Sequence, residues 1–287
     1  MFHTALIALD HSAAQDPLLD CLSDLRDMGV SRAILIHVVH VGYGQGGSYG
    51  NKEALEDWLR GCATQLHAAG MEVEIEIRAA GEVAKDILHA ASDHGADLIV
   101  IGSRGQNMIR GLFLGSVARE VIRLSTLPVR LEWMESTGKD GDATCVRTCH
   151  TGLRRVLLAT DFSQQSQSAE KAAIALTRLG AHVDVVHVLA PGGGKVYARW
   201  PRMAQAALSY IVDDIAAAGG KAEAQLITGE PFEEIARMAV DRDADLIVVG
   251  KHGQGWVDSI TTGSTAASLC EIARRPVLMV PRQNDEV

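Results

Sequence analysis

The chain has 287 residues and a mass of 30.7 kDa, a length for about two ordinary domains. Its 27 basic and 36 acidic side chains leave a formal charge of −9, which excludes a general nucleic-acid or anionic-membrane surface, and no apolar run approaches the roughly 20 residues of a membrane helix. The five cysteines are odd in number and scattered, and no basic flank precedes an apolar core at the amino terminus, so a reducing cytoplasm is the expected location.

Thr4 to Asp10 reads as a buried strand that ends in an acid, and Ser12 with Gln15 has the spacing of a capping box. Leu18, Leu22 and Leu25 then fall on one helical face. A second strand, Ala33 to Val39, leads into a loop with Gly42, Gly44, Gly46, Gly47 and Gly50, which is either a plain linker or a flap over a site. A helix from Lys52 to Ala69 carries Leu55, Leu59, Cys62 and Leu66 at helical spacing, and Glu72 to Arg78 alternates charged with apolar residues as an edge strand does. Gly81 and Glu82 open a third helix toward His94. An apolar run from Asp97 to Gly102, a glycine-rich loop, a fourth helix with Val117, Ile122 and Leu124, and a fifth strand from Pro128 to Trp133 complete the unit. The alternation of strand and helix implies a parallel sheet with helices on both faces.

Glu135 to Gly152 has no periodicity and reads as a linker; within it Cys145, Cys149 and His150 offer three ligand types for zinc but no fourth, so incidental cysteines in a tether or a redox pair are the competing readings. The pattern then restarts. Arg154 to Thr160 is a strand, Asp161-Phe162-Ser163 supplies the acid and a cap, Ala169, Ala173, Leu176 and Leu179 mark a helix face, and Val183 to Leu189 is the second strand. Gly192 to Gly194 replaces the earlier glycine loop, and Gly229-Glu230-Pro231 opens the third helix with proline where it is tolerated. Gly81 to Gly102 laid over Gly229 to Gly250 matches at 11 of 22 positions without a gap, which marks a duplicated domain: 1–134 and 153–283, joined by 135–152.

Gly102, Gly105 and Gly115-Ser116 recur as Gly250, Gly253 and Gly263-Ser264 at identical spacing. Glycines placed after a buried strand and before a helix let backbone N–H groups face an anion, and the helix N-terminus favours its charge; a loop that merely needs tight turns is the competing reading. Arg104, Arg110, Lys251 and His252 lie inside these loops, either as local charge for a nucleotide or as solvated loop residues. In an open parallel sheet the ligand crevice lies beyond the carboxyl ends of the strands where their order reverses; if the first and fourth strands flank that reversal, Asp10 meets the Gly102 loop and Asp161 the Gly250 loop. Each aspartate is then a ribose, base or metal contact, or a helix N-terminal acid that complements the dipole. His37 and His187, inside apolar strands, read as core or loop-anchoring residues. Neither a P-loop nor a Gly-x-Gly-x-x-Gly fingerprint follows the first strand.

Both halves resemble the universal stress protein family, whose ATP-binding branch carries Gly-x-x-Gly, nine residues and Gly-Ser/Thr after an opening strand that ends in Asp-x-Ser. The matching residues are Asp10, Ser12, Gly102, Gly105, Gly115 and Ser116, and Asp161, Ser163, Gly250, Gly253, Gly263 and Ser264. The resemblance implies strand order 3-2-1-4-5 in each half. It also implies an aspartate contact to adenosine, backbone of Val38 and Val188 beside adenine, and ribose and phosphates held by the glycine loop with Arg104, Val117, Lys251 and Thr265. ATP, ADP or AMP with Mg²⁺ and an unidentified protein partner are the expected ligands, with slow hydrolysis at most. A slow ATPase or phosphotransferase and a nucleotide-free scaffold are the alternatives. The halves are expected to pair through their fifth strands as an intramolecular pseudo-dimer, with a further homodimer left open, although Arg130 and Glu132 depart from an apolar fifth strand in the first copy.

Overall fold

The computed structural model describes residues 1–11, 15–40, 52–103, 114–136, 143–145, 152–191, 199–253 and 262–282. Ser12 of the capping box, the glycine runs at 42–50 and 192–194, and the interiors of both long glycine loops lie outside these residues. The chain divides into two compact units, Met1–Val146 and Arg147–Val287, and the division falls within the segment read as a linker.

The first unit contains β1 (Thr4–Ala8), α1 (Gln15–Asp20), a 3-10 turn (Cys21–Asp24), β2 (Arg32–His40), α2 (Lys52–Ala68), β3 (Glu72–Ala80), α3 (Val83–Asp93), β4 (Leu98–Gly102), α4 (Ser116–Leu124) and β5 (Val129–Glu132). The pairs among these five strands are all parallel and run in the order β3-β2-β1-β4-β5. The apolar runs of β1 and β4 sit at the centre, buried on both faces, which is why neither alternates with polar residues. The charged alternation of β3 belongs to a strand paired through β2, where one side of each residue meets solvent.

The second unit repeats the plan with β8 (Arg155–Ala159), α5 (Gln167–Thr177), β9 (His182–Leu189), α6 (Trp200–Ala217), β10 (Lys221–Thr228), α7 (Pro231–Asp241), β11 (Leu246–Gly250), α8 (Ser264–Ile272) and β12 (Val277–Val280). Its parallel order is β10-β9-β8-β11-β12. Each unit is thus a doubly wound five-stranded α/β sheet whose strand order reverses between the first and fourth strands, the order the family resemblance implies.

Three local expectations need correction. The linker carries structure: β6 (Met134–Ser136) and β7 (Ala143–Cys145) pair antiparallel, a hairpin too short for periodicity to reveal. Leu179 is not on the buried face of α5, because the helix ends at Thr177 and the residue is 42% exposed in the turn beyond. Cys21 is disulfide-bonded, whereas Cys62 and Cys270 are buried and form no disulfide, so cysteine number and spacing concealed a bond.

The charged pair on β5 is buried, with Arg130 2% and Glu132 0% exposed. Arg130 Nε donates to Glu132 Oε1 at 2.5 Å and Nη2 donates to Asp24 Oδ2 at 3.0 Å, reaching back 106 residues to the 3-10 turn. Burial is the largest single effect on the guanidinium and disfavours its charge, but the charges and hydrogen bonds of the two carboxylates together outweigh it and raise the pKa.

Candidate functional site

Two residues past the first strand of each unit comes an acid, Asp10 or Asp161, followed by a residue with positive φ, 54° at His11 and 60° at Phe162. A left-handed conformation is uncommon outside glycine and costly for a bulky ring, so its recurrence at the same point marks a turn the fold holds in place. The second strand supplies the hold. A carbonyl only accepts, so the Nδ1–H of His37 donates to Leu9 O at 2.8 Å and that of His187 donates to Thr160 O at 2.8 Å. Both histidines anchor the turn, in line with their reading as loop anchors, and the rings pack on the neighbouring residue: His187 lies 4.4 Å from Phe162, and His37 lies 5.2 Å from Trp58, which also stacks on His11 at 4.4 Å.

Burial pushes the pKa of His187 down, opposed by its bond to Thr160 and by the Asp161 charge. The native imidazole therefore resists protonation. Above about pH 6.5 both folded and unfolded states hold it neutral; below that the unfolded state takes the proton first, and stability falls until the lower folded value is passed. Urea midpoints followed from pH 7.5 to 5 should show a slope up to about 1.4 kcal/mol per pH unit steeper in the native chain than in His187→Gln. Equal slopes would mean that the ring carries no such linkage.

In the second unit the turn borders a cavity of about 510 Å³ at the carboxyl ends of β8, β9 and β11. Of the residues picked from sequence, Asp161, Val188, Gly250, Lys251, Gly253, Gly263, Ser264 and Thr265 line it. Ser163 does not: its Oγ accepts the Ser166 N–H at 3.2 Å and so closes the turn ahead of α5, whose N-cap is Ser166. Asp161 Oδ1 accepts the Ser163 N–H at 3.0 Å, which fixes the carboxylate at the cavity edge.

The glycines sit where a side chain would crowd its neighbours. A Cβ on Gly253 would fall on the Asp161 carboxylate, one on Gly250 would lie 3.2 Å from Ser166 Cα, and one on Gly263 would lie 3.2 Å from Lys251 O. The loop is closed at its base by Gly263 N–H donating to Lys251 O at 2.9 Å, and the first unit has the same bond from Gly115 to Ser103 at 2.8 Å. Gly263 and Gly115 are N-cap residues without a side-chain cap, so α8 and α4 direct their first N–H groups past backbone alone. Asp10 and Val38 are half-buried at the ends of β1 and β2, beside Gly102 on β4; Gly115, Ser116 and Val117 begin α4. Ser12, Arg104 and Gly105 lie outside the described residues.

Motif spacing overlooked several cavity residues. Trp200, at the start of α6, and Pro231 and Ile235, on α7, form apolar wall. Thr160 and Ser166 form polar floor, where the Thr160 hydroxyl donates to Glu170 Oε1 at 2.5 Å while its oxygen accepts the Phe162 N–H at 3.0 Å. The repeat offset places Leu9 and Leu19 opposite Thr160 and Glu170, so this polar network belongs to the second unit. The units also differ at the loop base. Lys251, 6% exposed, replaces Ser103, whose Oγ accepts the Met134 N–H at 2.9 Å.

The sequence profile of the universal stress protein family matches residues 1–131 and 152–281. A universal stress protein of Mycolicibacterium smegmatis is 24% identical over 227 residues, 76% of this chain and 71% of that protein. One from Thermus aquaticus is 32% identical over 135 residues, 45% of this chain but 98% of that shorter protein. Among solved structures, a universal stress protein from Archaeoglobus fulgidus superposes with a TM-score of 0.74 at 25% identity, covering 99% of this chain and 97% of the other.

Proposed function

This chain belongs to the universal stress protein family and carries two tandem family domains, and from that premise we propose that it binds ATP or a related adenine nucleotide and signals its occupancy to a protein partner. The observation that carries this reading is the roughly 510 Å³ cavity of the second unit, where the acid, the glycine loop and an uncapped helix N-terminus converge. In this assignment Asp161 takes ribose hydroxyls, the β9 backbone at Val188 faces the base, and the N–H groups from Gly263 to Thr265 with Lys251 hold the phosphates. Asp10, Val38, Gly102, Gly115, Ser116 and Val117 are the corresponding residues of the first unit, to which Ser12, Arg104 and Gly105 belong by sequence.

A triphosphate on a chain of charge −9 gains from Mg²⁺, which neutralises the phosphate oxygens when bound. The groups around the cavity favour retention over turnover. Asp161 Oδ1 is held by the Ser163 N–H, and His187 Nδ1 is held by Thr160 O, so the carboxylate positions the ligand and the imidazole positions the turn. Thermal unfolding with and without ATP and Mg²⁺ tests the reading: ligand at a hundredfold excess over Kd adds about 2.7 kcal/mol and raises Tm by several degrees. An unchanged Tm at millimolar nucleotide would instead leave the loops as structural turns of an interaction scaffold.

A further inference from the structure

At the end of the second unit's sheet opposite the cavity, β9 and β10 begin side by side. Asp184 pairs in register with Glu223, and His182 precedes Asp184 by two residues, so the three side chains share one face. Their ligand atoms all lie within 4.8 Å of one another. Asp184 is 1% exposed; its Oδ2 accepts from Arg155 Nη1 at 2.8 Å, while Oδ1 is buried without a hydrogen-bond partner among the described residues. That oxygen faces His182 Nε2, also buried and unpartnered, across 3.7 Å. The separation is too long for a hydrogen bond and leaves two electron-pair donors directed at one gap.

We propose that His182 Nε2, Asp184 Oδ1 and a Glu223 carboxylate oxygen bind a divalent transition-metal ion of the Zn²⁺ class, with water completing the shell. One imidazole and two carboxylates suit zinc better than magnesium, which prefers oxygen ligands alone. Arg155 serves as the outer-shell partner that orients the Asp184 carboxylate, leaving Oδ1 to the ion. The charge opposing a cation comes from Arg242, whose Nη1 lies 3.4 Å from Glu223 and 3.9 Å from Asp184. Its contacts are long and its side chain is a third exposed, so it swings to solvent as the ion enters, and the two carboxylates then outweigh Arg155. The bound ion would clasp β10 to β9. The first unit cannot form the site, because the repeat that aligns His37 with His187 puts Arg32 and Ile34 at its positions; one ion per chain is expected.

Co²⁺ titrated into the full chain gives the direct test, since its visible absorption reports tetrahedral coordination, and Zn²⁺ calorimetry gives the stoichiometry. One site per chain is expected without thiolate-to-metal charge transfer, and His182→Gln and Glu223→Gln should each weaken it by at least about tenfold. Both changes leave the β9 and β10 backbone pairing intact, and circular dichroism checks the fold. Absence of binding, binding unchanged in both variants, or a charge-transfer band that places the ion on cysteine would each overturn the proposal.

Discussion

Replacing Arg130 with methionine should destabilise the first unit by about 3–5 kcal/mol, the largest loss expected from a single substitution in this chain. The guanidinium stands between Asp24 and Glu132, and all three side chains are buried. Methionine fills much of the volume but leaves two carboxylates in the interior without their counter-charge, and desolvating a lone charge costs several kcal/mol. Urea unfolding of Arg130→Met beside the native chain measures the loss. The triple variant Asp24→Leu, Arg130→Met, Glu132→Leu should recover most of it, since a packed apolar cluster is often as stable as the ion triad it replaces. A single variant within 1 kcal/mol of the native protein would show that the triad contributes little.

The second large effect falls on the ligand. Gly253→Val should weaken ATP binding by roughly tenfold to 150-fold, the equivalent of losing one hydrogen bond to a charged group, about 1.5–3 kcal/mol. The new Cβ occupies the position of the Asp161 carboxylate, which must leave the Ser163 N–H and the edge of the cavity. Gly61→Ala is the matched control: it lies within α2 with open space around it, so affinity should stay unchanged while the helix gains about 0.5–1 kcal/mol. Titration calorimetry separates the two. Equal affinity for Gly253→Val and the native chain would remove Asp161 from the ligand's contacts.

The fold was readable because its central strands have strong local signals. β4 and β11 are uninterrupted apolar runs that end on glycine, and the duplication repeats their spacing, so the two-unit plan did not depend on distant contacts, whereas the strand order followed from the family resemblance. β5 was harder to read. Val-Arg-Leu-Glu has the alternation of a half-exposed strand, and only the return of Asp24 from 106 residues away makes its charges buried ones. The hairpin of β6 and β7 was hidden for a similar reason, since each three-residue strand is specified by its partner.

The candidate site divides along the same line. Backbone-binding elements left a trace, because they use glycines where the chain passes close, as at Gly250, whose Cβ would lie 3.1 Å from His252 O and 3.2 Å from Ser166 Cα. Side-chain contributions did not. Trp200 and Ile235 reach the cavity from helices whose register no motif fixes, and Thr160 joins Glu170 ten residues on through a hydroxyl that spacing alone would assign to any turn. Ser163 shows the reverse, a motif residue whose visible task is to close the turn before α5.

The central claim is that the glycine loops hold an adenine nucleotide, and the most direct test is mass spectrometry of the small molecules released when freshly purified protein is denatured. The native chain is compared with Gly115→Asp and Gly263→Asp, each of which puts a carboxylate at the helix N-terminus where phosphate would lie. ATP, ADP or AMP released from the native chain, and lost with Gly263→Asp, is the predicted result, and the effect of Gly115→Asp tells whether the first unit is filled as well. No released nucleotide from the native chain, together with no saturable uptake of added ATP, would contradict it.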